Sequence, residues 1–271
     1  MKHPGKLLLE IFGVLIGLLW LFPFYLMVTN SFKTPKGIFA SILSLPGKYF
    51  TTDNYVNSYK ALNFLSSFMH SLIITVVSVV LLIFCSSLAA YALQRNKSKL
   101  SGIILLIFIS TMLIPFQAVM IPLIAIFGQA HLLNMYSLMF MYLGFNGSLS
   151  IFLYQGTLGS IPYSLDESAE LEGATKWQIF RRIIFPMLTP MTMTVGTLNV
   201  ISIWNDYLLP SLVLPQRQYT IPLEMYMFFG QFTKQWHLAM AGLTLSVFPV
   251  IIFYFFAQKY IIKGVTEGAV K

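Results

Sequence analysis

Long apolar runs separated by short charged segments organise this chain. No Asp, Glu, Lys or Arg lies between Glu10 and Lys33, between Lys60 and Arg95, or from Leu100 to Leu165. A hydrocarbon layer about 30 Å thick is crossed by roughly 20 apolar residues in a helix. The first two runs therefore predict spans at Leu7–Val28 and Phe68–Leu93. The third is too long for one helix and divides at Gly128–Asn134, giving Ile103–Phe127 and Tyr136–Leu158. Later runs predict Met187–Leu209 and Ala239–Tyr260. The reading is an all-α polytopic bundle of six spans, one membrane domain over residues 1–271, with a charged loop at 161–186.

Composition agrees. Hydrophobic residues are 57% of the chain and charged residues 10%, whereas a soluble domain carries about 25% charge. The formal charge of +8 does not form a stripe suited to nucleic acid; the bases sit at the ends of apolar runs, where they act as anchors and topology signals. Eleven of the seventeen Lys and Arg fall on the side that holds both termini of a six-span bundle, among them Arg95, Lys97, Lys99, Arg181 and Arg182. The other six are spread over longer loops, so both termini are expected in the cytoplasm. The basic N-terminus resembles a signal peptide, but its apolar stretch runs too long and no small-residue cleavage site follows. Cys85 lies within an apolar run and reads as a buried, inert thiol.

The charges that the spans lack crowd between Asp166 and Arg182. Ile161, Leu165 and Ala169 recur four residues apart, which gives a short helix one apolar face. Pro162 suits its first turn, and Asp166 and Glu167 follow near the positive end of its dipole. Gly173 is a natural stop, and Thr175 with Gln178 has capping-box spacing for a second helix. That helix is basic (Lys176, Arg181, Arg182), lines one face with Trp177, Phe180 and Ile184, and ends at Pro186. Asp166 and Glu170, one turn apart, repel unless a base approaches. From the residues alone the pair is either an ordinary interfacial element or a docking surface; interfacial helices are usually basic throughout, which weighs against the first.

The string Glu167-Ser168-Ala169, three residues, Gly173, nine residues, Ile183, one residue, Phe185-Pro186 closely resembles the EAA loop of binding-protein-dependent ABC importer permeases. Ser168 stands where that family has an alanine, and Phe185 where it has a leucine. The resemblance extends in order along the chain to one branch, the maltose-type (MalG-like) carbohydrate permeases. It is carried by Asn30–Lys33, Asn54-Tyr55, Ala89–Leu93, Leu113–Pro115, Ile121–Leu123, Trp204–Tyr207 and the tail Gly264–Lys271. It implies a type I importer permease in the cell membrane. Asp166, Glu167, Ser168, Ala169, Glu170, Gly173, Ala174, Ile183 and Pro186 would form the coupling loop that docks an ATPase subunit. It also implies a homologous partner permease, two ATPase subunits that bind ATP and Mg, and an extracytoplasmic solute-binding protein. The tail would reach toward the ATPase dimer, and the expected cargo is a carbohydrate such as an oligosaccharide.

The chain has no phosphate-binding loop: Gly47-Lys48 is followed by Tyr49 and lacks the upstream glycine. His3, His70, His131 and His237 have no second ligand at helical spacing, and neither HExxH nor G-x-S-x-G occurs. The expectation is a non-catalytic subunit that holds no cofactor or metal of its own. An ion-coupled carrier or channel is the alternative, but such carriers place an ionisable group in mid-span. Here Glu10 and Asp206 lie near span ends. An importer of another polar solute, such as glycerol phosphate, is the alternative within the class. Sugar recognition needs hydrogen-bonding groups and aromatic faces, which makes Gln117, Asn146, Gln155, Asn199, Trp204 and Asn205 candidates for the pathway. Each is also suited to helix–helix packing. Pro23, Pro115, Pro122, Pro190 and Pro249 fall in or near the spans, where freed backbone groups need neighbours or cavity water.

Overall fold

The computed structural model describes residues 4–228 and 235–269, and every named element among them is a helix. The first helix, α1 (Pro4–Ser31), is strongly apolar, and an 18-residue stretch within Leu9–Ser31 is left uncovered by the rest of the chain, while Thr29, Asn30 and Ser31 at its end are buried. At its end Thr29 and Ser31 turn their hydroxyls back onto the carbonyls of Tyr25 and Val28. Two short helices follow, α2 (Pro35–Ala40), capped by the Thr34 side chain, and α3 (Asp53–Ala61). Next comes α4 (Phe64–Arg95), 32 residues long.

The sequence pattern places one helix over Ile103–Phe127, but the chain forms two, α5 (Lys99–Thr111) and α6 (Phe116–Gln129), bent by 100°. Pro115 has no N–H and disfavours helical geometry in the residue before it, so α5 stops short of it. Ser110 and Thr111 satisfy the carbonyls of Ile107 and Phe108 with their hydroxyls, which closes the last turn without further helix. The next span, α7 (Met135–Leu158), is capped by Asn134, whose side chain accepts from the amides of Tyr136 and Ser137.

The charged loop holds α8 (Ser164–Leu171), α9 (Lys176–Ile179), a π-turn at Phe180–Ile184 and α10 (Phe185–Met187). After a 76° bend comes α11 (Thr189–Trp204), then α12 (Leu208–Val213) as a separate helix. The span expected at Met187–Leu209 therefore ends at Trp204. The chain continues through α13 (Ile221–Met225) and α14 (Trp236–Ala269), 34 residues long. Four of these helices are long and apolar enough to cross a membrane, and six spans result if each bent pair counts as one. The tail reaches Ala269 as helix, and Val270 and Lys271 lie outside the described residues, as do Lys2, His3 and Lys234.

By its contacts the chain divides into two compact units, Met1–Ser67 with Leu223–Ile252 and Phe68–Pro222 with Phe253–Lys271. In the first, Lys33 is fully buried and donates from Nζ to Asn30 Oδ1 at 3.0 Å and to the carbonyls of Ser41 and Ile42 at 3.0 and 3.2 Å. Asn54 donates to the carbonyls of Ser31 and Lys33, both at 2.8 Å. A lysine counted as a loop charge is thus the clamp of that loop, and burial lowers its pKa. Gly242 lets α14 pack closely there: a Cβ at that position would lie 2.7 Å from Met225 Sδ.

The second unit has two apolar centres. One gathers Leu82 of α4, Leu138 and Met141 of α7, Ile203 of α11 and Leu209 of α12. The other joins Ala90, Tyr154 and Leu158 to Ile161, Ala169, Ile179 and Ile184 of the charged loop. Cys85 is half-buried rather than buried, and carries no disulfide.

Candidate functional site

The loop at 161–186 is built by local rules the sequence already displays. Gly173 takes φ +84°, the left-handed conformation that a side chain disfavours. Its amide bonds to the carbonyl of Glu170 at 3.0 Å, and that of Ala174 to Ala169, also at 3.0 Å. This pair of bonds is a Schellman stop for α8. One residue later Thr175 opens α9 with a reciprocal cap: its hydroxyl accepts from Gln178 N, and Gln178 Oε1 accepts from Thr175 N at 2.8 Å. The two helices are therefore joined through a corner with little slack.

The face that α8 buries differs from the expected one. Leu165 is 37% exposed, while Asp166 is 2% exposed and Ala169 is buried. The cause lies 71 residues upstream. Arg95, the last residue of α4, pairs Nη2 with Asp166 Oδ2 at 2.8 Å and Nε with Oδ1 at 3.3 Å. Its Nη1 donates to the carbonyl of Ile161 at 3.2 Å. Tyr91, one turn earlier, donates its hydroxyl to Asp166 Oδ1 at 2.7 Å. The guanidinium also lies over the rings of Tyr91 and Tyr163. A buried ion pair adds little net stability, but removing one partner leaves the other charge stranded, at a cost of about 3–5 kcal/mol. This pairing holds Asp166 on the inward face of α8. The base that relieves the repulsion between Asp166 and Glu170 is Arg95.

With Asp166 turned in, the outer face of α8 carries Glu167, Ser168, Glu170 and Glu172 around Leu171, which is 90% exposed. A large apolar side chain flanked by carboxylates, on a short helix closed at its C-terminus by a Schellman stop, is a docking knob in form. On the second helix Phe180 and Ile184 are buried as expected, but Trp177 is 49% exposed, stacked on Phe180 and edge-on to Phe84. The π-turn shifts the helical phase, which keeps Ile184 in the core and leaves Arg181 and Arg182 outside. Ala174 and Ile183 are half-buried and Pro186 is exposed.

The candidates for a pathway scatter. Asn146 donates to Asn199 Oδ1, and Asn199 donates in turn to Ser150 Oγ at 3.1 Å and to the carbonyl of Val195 at 2.8 Å. Gln155 donates to the carbonyl of Ala90 at 2.8 Å. Trp204 meets Phe68 edge-on at 5.7 Å. Gln117 and Asn205 are exposed, the latter bonded to the carbonyl of Ile201. Only Asn146 and Asn199 are brought together. Sequence reasoning missed the roles of Arg95, Tyr91, Leu171 and the Tyr142 hydroxyl, which donates to Asp206 Oδ2 at 2.8 Å. The four-residue spacing of Tyr91 and Arg95 places both on one face of α4, and that was the available signal. No group of three or more His, Cys, Asp or Glu able to hold a metal occurs among the described residues.

Comparison with known proteins places this geometry among relatives. The model of the binding-protein-dependent transport system inner membrane component matches residues 82–267. The chain is 50% identical over 270 residues to the "Probable starch degradation products transport system permease protein AmyC" of Thermoanaerobacterium thermosulfurigenes, across 99% of this chain and 98% of that protein. It is 36% identical over 267 residues to the "Multiple sugar-binding transport system permease protein MsmG" of Streptococcus mutans, across 94% and 93%. A solved chain of a bacterial ABC transporter involved in the import of the acidic polysaccharide alginate shares the fold, with TM-score 0.79 at 23% identity over 96% of this chain and 99% of that one.

Proposed function

Because the chain belongs to the binding-protein-dependent transport system inner membrane component family, we propose that it forms half of the translocation path of an ATP-driven carbohydrate importer. It pairs with a homologous permease, receives an oligosaccharide from an extracytoplasmic solute-binding protein, and takes energy from two ATPase subunits through the loop at 161–186. ATP and Mg are held by those ATPase subunits. Both termini lie in the cytoplasm, and the tail approaches the ATPase dimer.

The observation that carries the reading is the outer face of α8. Leu171 is 90% exposed within a ring of Glu167, Glu170 and Glu172, on a helix stopped by Gly173. An apolar side chain set among carboxylates on a short exposed helix has the form of a helix that seats in a partner's groove. Glu167, Ser168, Glu170, Gly173 and Ala174 form or frame that contact, Asp166, Ala169 and Ile183 fix the loop to the bundle, and Pro186 marks its end before α11. The uncharged span centres add to the case, since an ion-coupled carrier keeps its coupling charge there. Closure of the ATPase pair would move α8, and packed helices would shift as rigid bodies to change which side the cavity faces. The names of the starch-product and multiple-sugar relatives support a sugar cargo.

The test is uptake of labelled maltotriose by proteoliposomes holding the complete complex, with MgATP supplied and ion gradients collapsed. Uptake that follows ATP is the expected result. Uptake that follows a gradient and ignores ATP overturns it.

A further inference from the structure

Two surfaces of α8 carry different chemistry, and only the outer one is accounted for by docking. The inner one ends in a buried carboxylate gripped by the last turn of a membrane span. We infer that Tyr91 and Arg95 are positioning residues that fasten α8 to α4 through Asp166, so that α8 and the cytoplasmic end of α4 move as one body. This rests on the reading of α8 as the ATPase-docking helix and adds the route by which its displacement enters the bilayer.

The geometry is that of a joint rather than a point contact. Two guanidinium nitrogens of Arg95 face the two oxygens of Asp166, at 2.8 and 3.3 Å. Nε–Oδ1 is a directional hydrogen bond, whereas Nη2 and Oδ2 meet as an ion pair out of hydrogen-bond alignment, so this charged fork resists separation chiefly by its charges and by the one aligned bond. A third guanidinium nitrogen holds the carbonyl of Ile161 at 3.2 Å, which fixes the backbone just before α8 begins. The Tyr91 hydroxyl closes the remaining side of Oδ1 at 2.7 Å. The side chains of Arg95 and Asp166 are 13% and 3% exposed, so water cannot readily take over either charge when the helix is pulled. Ala169, one turn along α8, is buried in the same centre as Ala90 of α4. Apolar packing alone would let α8 slide over that surface; the fork denies it the slide. The carboxylates of Glu167 and Glu170 remain outside, which separates the residues that meet the ATPase from those that meet the span.

The experiment measures whether the two helices move together. In a Cys85→Ser background, spin labels are placed at Leu81→Cys on α4 and Ser164→Cys at the start of α8, both exposed and both outside the docking contact. Pulsed electron resonance then gives their separation in the complex with ATPase subunits, with and without MgATP and vanadate. The expected result is one narrow distance in the native tether, the same in both states. Asp166→Asn broadens or shifts it by about one helical turn, roughly 5 Å, while the ATPase subunits stay bound. The exchange of Arg95→Asp with Asp166→Arg restores the narrow distance. A native distance that changes on nucleotide closure, or an Asp166→Asn distance as narrow as the native one, overturns the inference. Loss of the ATPase subunits from Asp166→Asn with the distance unchanged also overturns it, by placing Asp166 in the docking surface. Should Asp166→Asn not fold, Tyr91→Phe carries the test with the same outcomes, since it removes one hydrogen bond and no charge. Failure of the native chain to hold ATPase subunits would sink the docking reading instead, and the permease pair alone would still report whether Asp166→Asn loosens the joint.

Discussion

Asn146 on α7 donates an amide hydrogen to Oδ1 of Asn199 on α11 at 2.9 Å, and this bond anchors a chain of polar contacts running on to Ser150. Within an apolar bundle such a chain specifies how two helices meet, because any other pairing strands its donors. Asn199→Ala is expected to destabilise the protein by about 1–3 kcal/mol, seen as a lower unfolding temperature in detergent. If the network only locks the helices, the concentration of maltotriose that half-saturates uptake stays unchanged. A large shift in that value with stability intact would instead return Asn199 to the pathway.

Gly173 separates backbone from charge at the docking helix. Space around it is open, since a Cβ there meets nothing within 4 Å, and the strain of a substitution comes from φ alone. A left-handed residue other than glycine costs about 1–2 kcal/mol, and asparagine least. Gly173→Val should therefore release the ATPase subunits in a pull-down, and Gly173→Asn should retain them. Gly173→Asp should lose them with membrane insertion intact, through its added charge.

Leu171 is the side chain on which docking is expected to turn. Truncation of a central apolar anchor costs about 2 kcal/mol or more in binding, about thirtyfold in Kd. Leu171→Ala should weaken ATPase binding by that order, measured by titration of purified ATPase subunit onto the permease pair. The unfolding temperature of the permease alone should not fall, because this side chain is 90% exposed among the described residues. A stability loss equal to the binding loss would contradict the assignment.

Glu224, on α13, is buried, and burial raises its pKa above the ordinary 4.5. Between that value and the raised one the folded state binds more protons than the unfolded state. Stability therefore falls as pH rises through this window. Glu224→Gln should flatten this part of the pH–stability curve, and thermal melts from pH 4 upward would show it.

Much of this fold could be read from the chain because a bilayer admits few solutions. Charge-free runs between Glu10 and Lys33 or Lys60 and Arg95 have little choice but to be spans. The corner of the charged loop was equally legible, since the Gly173 stop and the Thr175–Gln178 box depend on neighbours within six residues. The hidden parts depended on distance along the chain. The pattern Ile161, Leu165, Ala169 named an apolar face, but Arg95 turned α8 by about a residue and exchanged Leu165 for Asp166. A proline in a span can kink or break it, and only the packing around Thr111, whose hydroxyl meets Ser148 at 2.7 Å, settled the break before Pro115.

The grip of Arg95 on Asp166 also bears on how such permeases can be recombined. A loop closed by its own caps would travel between relatives as a cassette. This one would arrive at a new host with a carboxylate that needs a guanidinium and a phenol on a helix encoded 71 residues away. Chimeras that exchange residues 161–186 should fail unless they also carry Tyr91 and Arg95, and the two segments are expected to be inherited together.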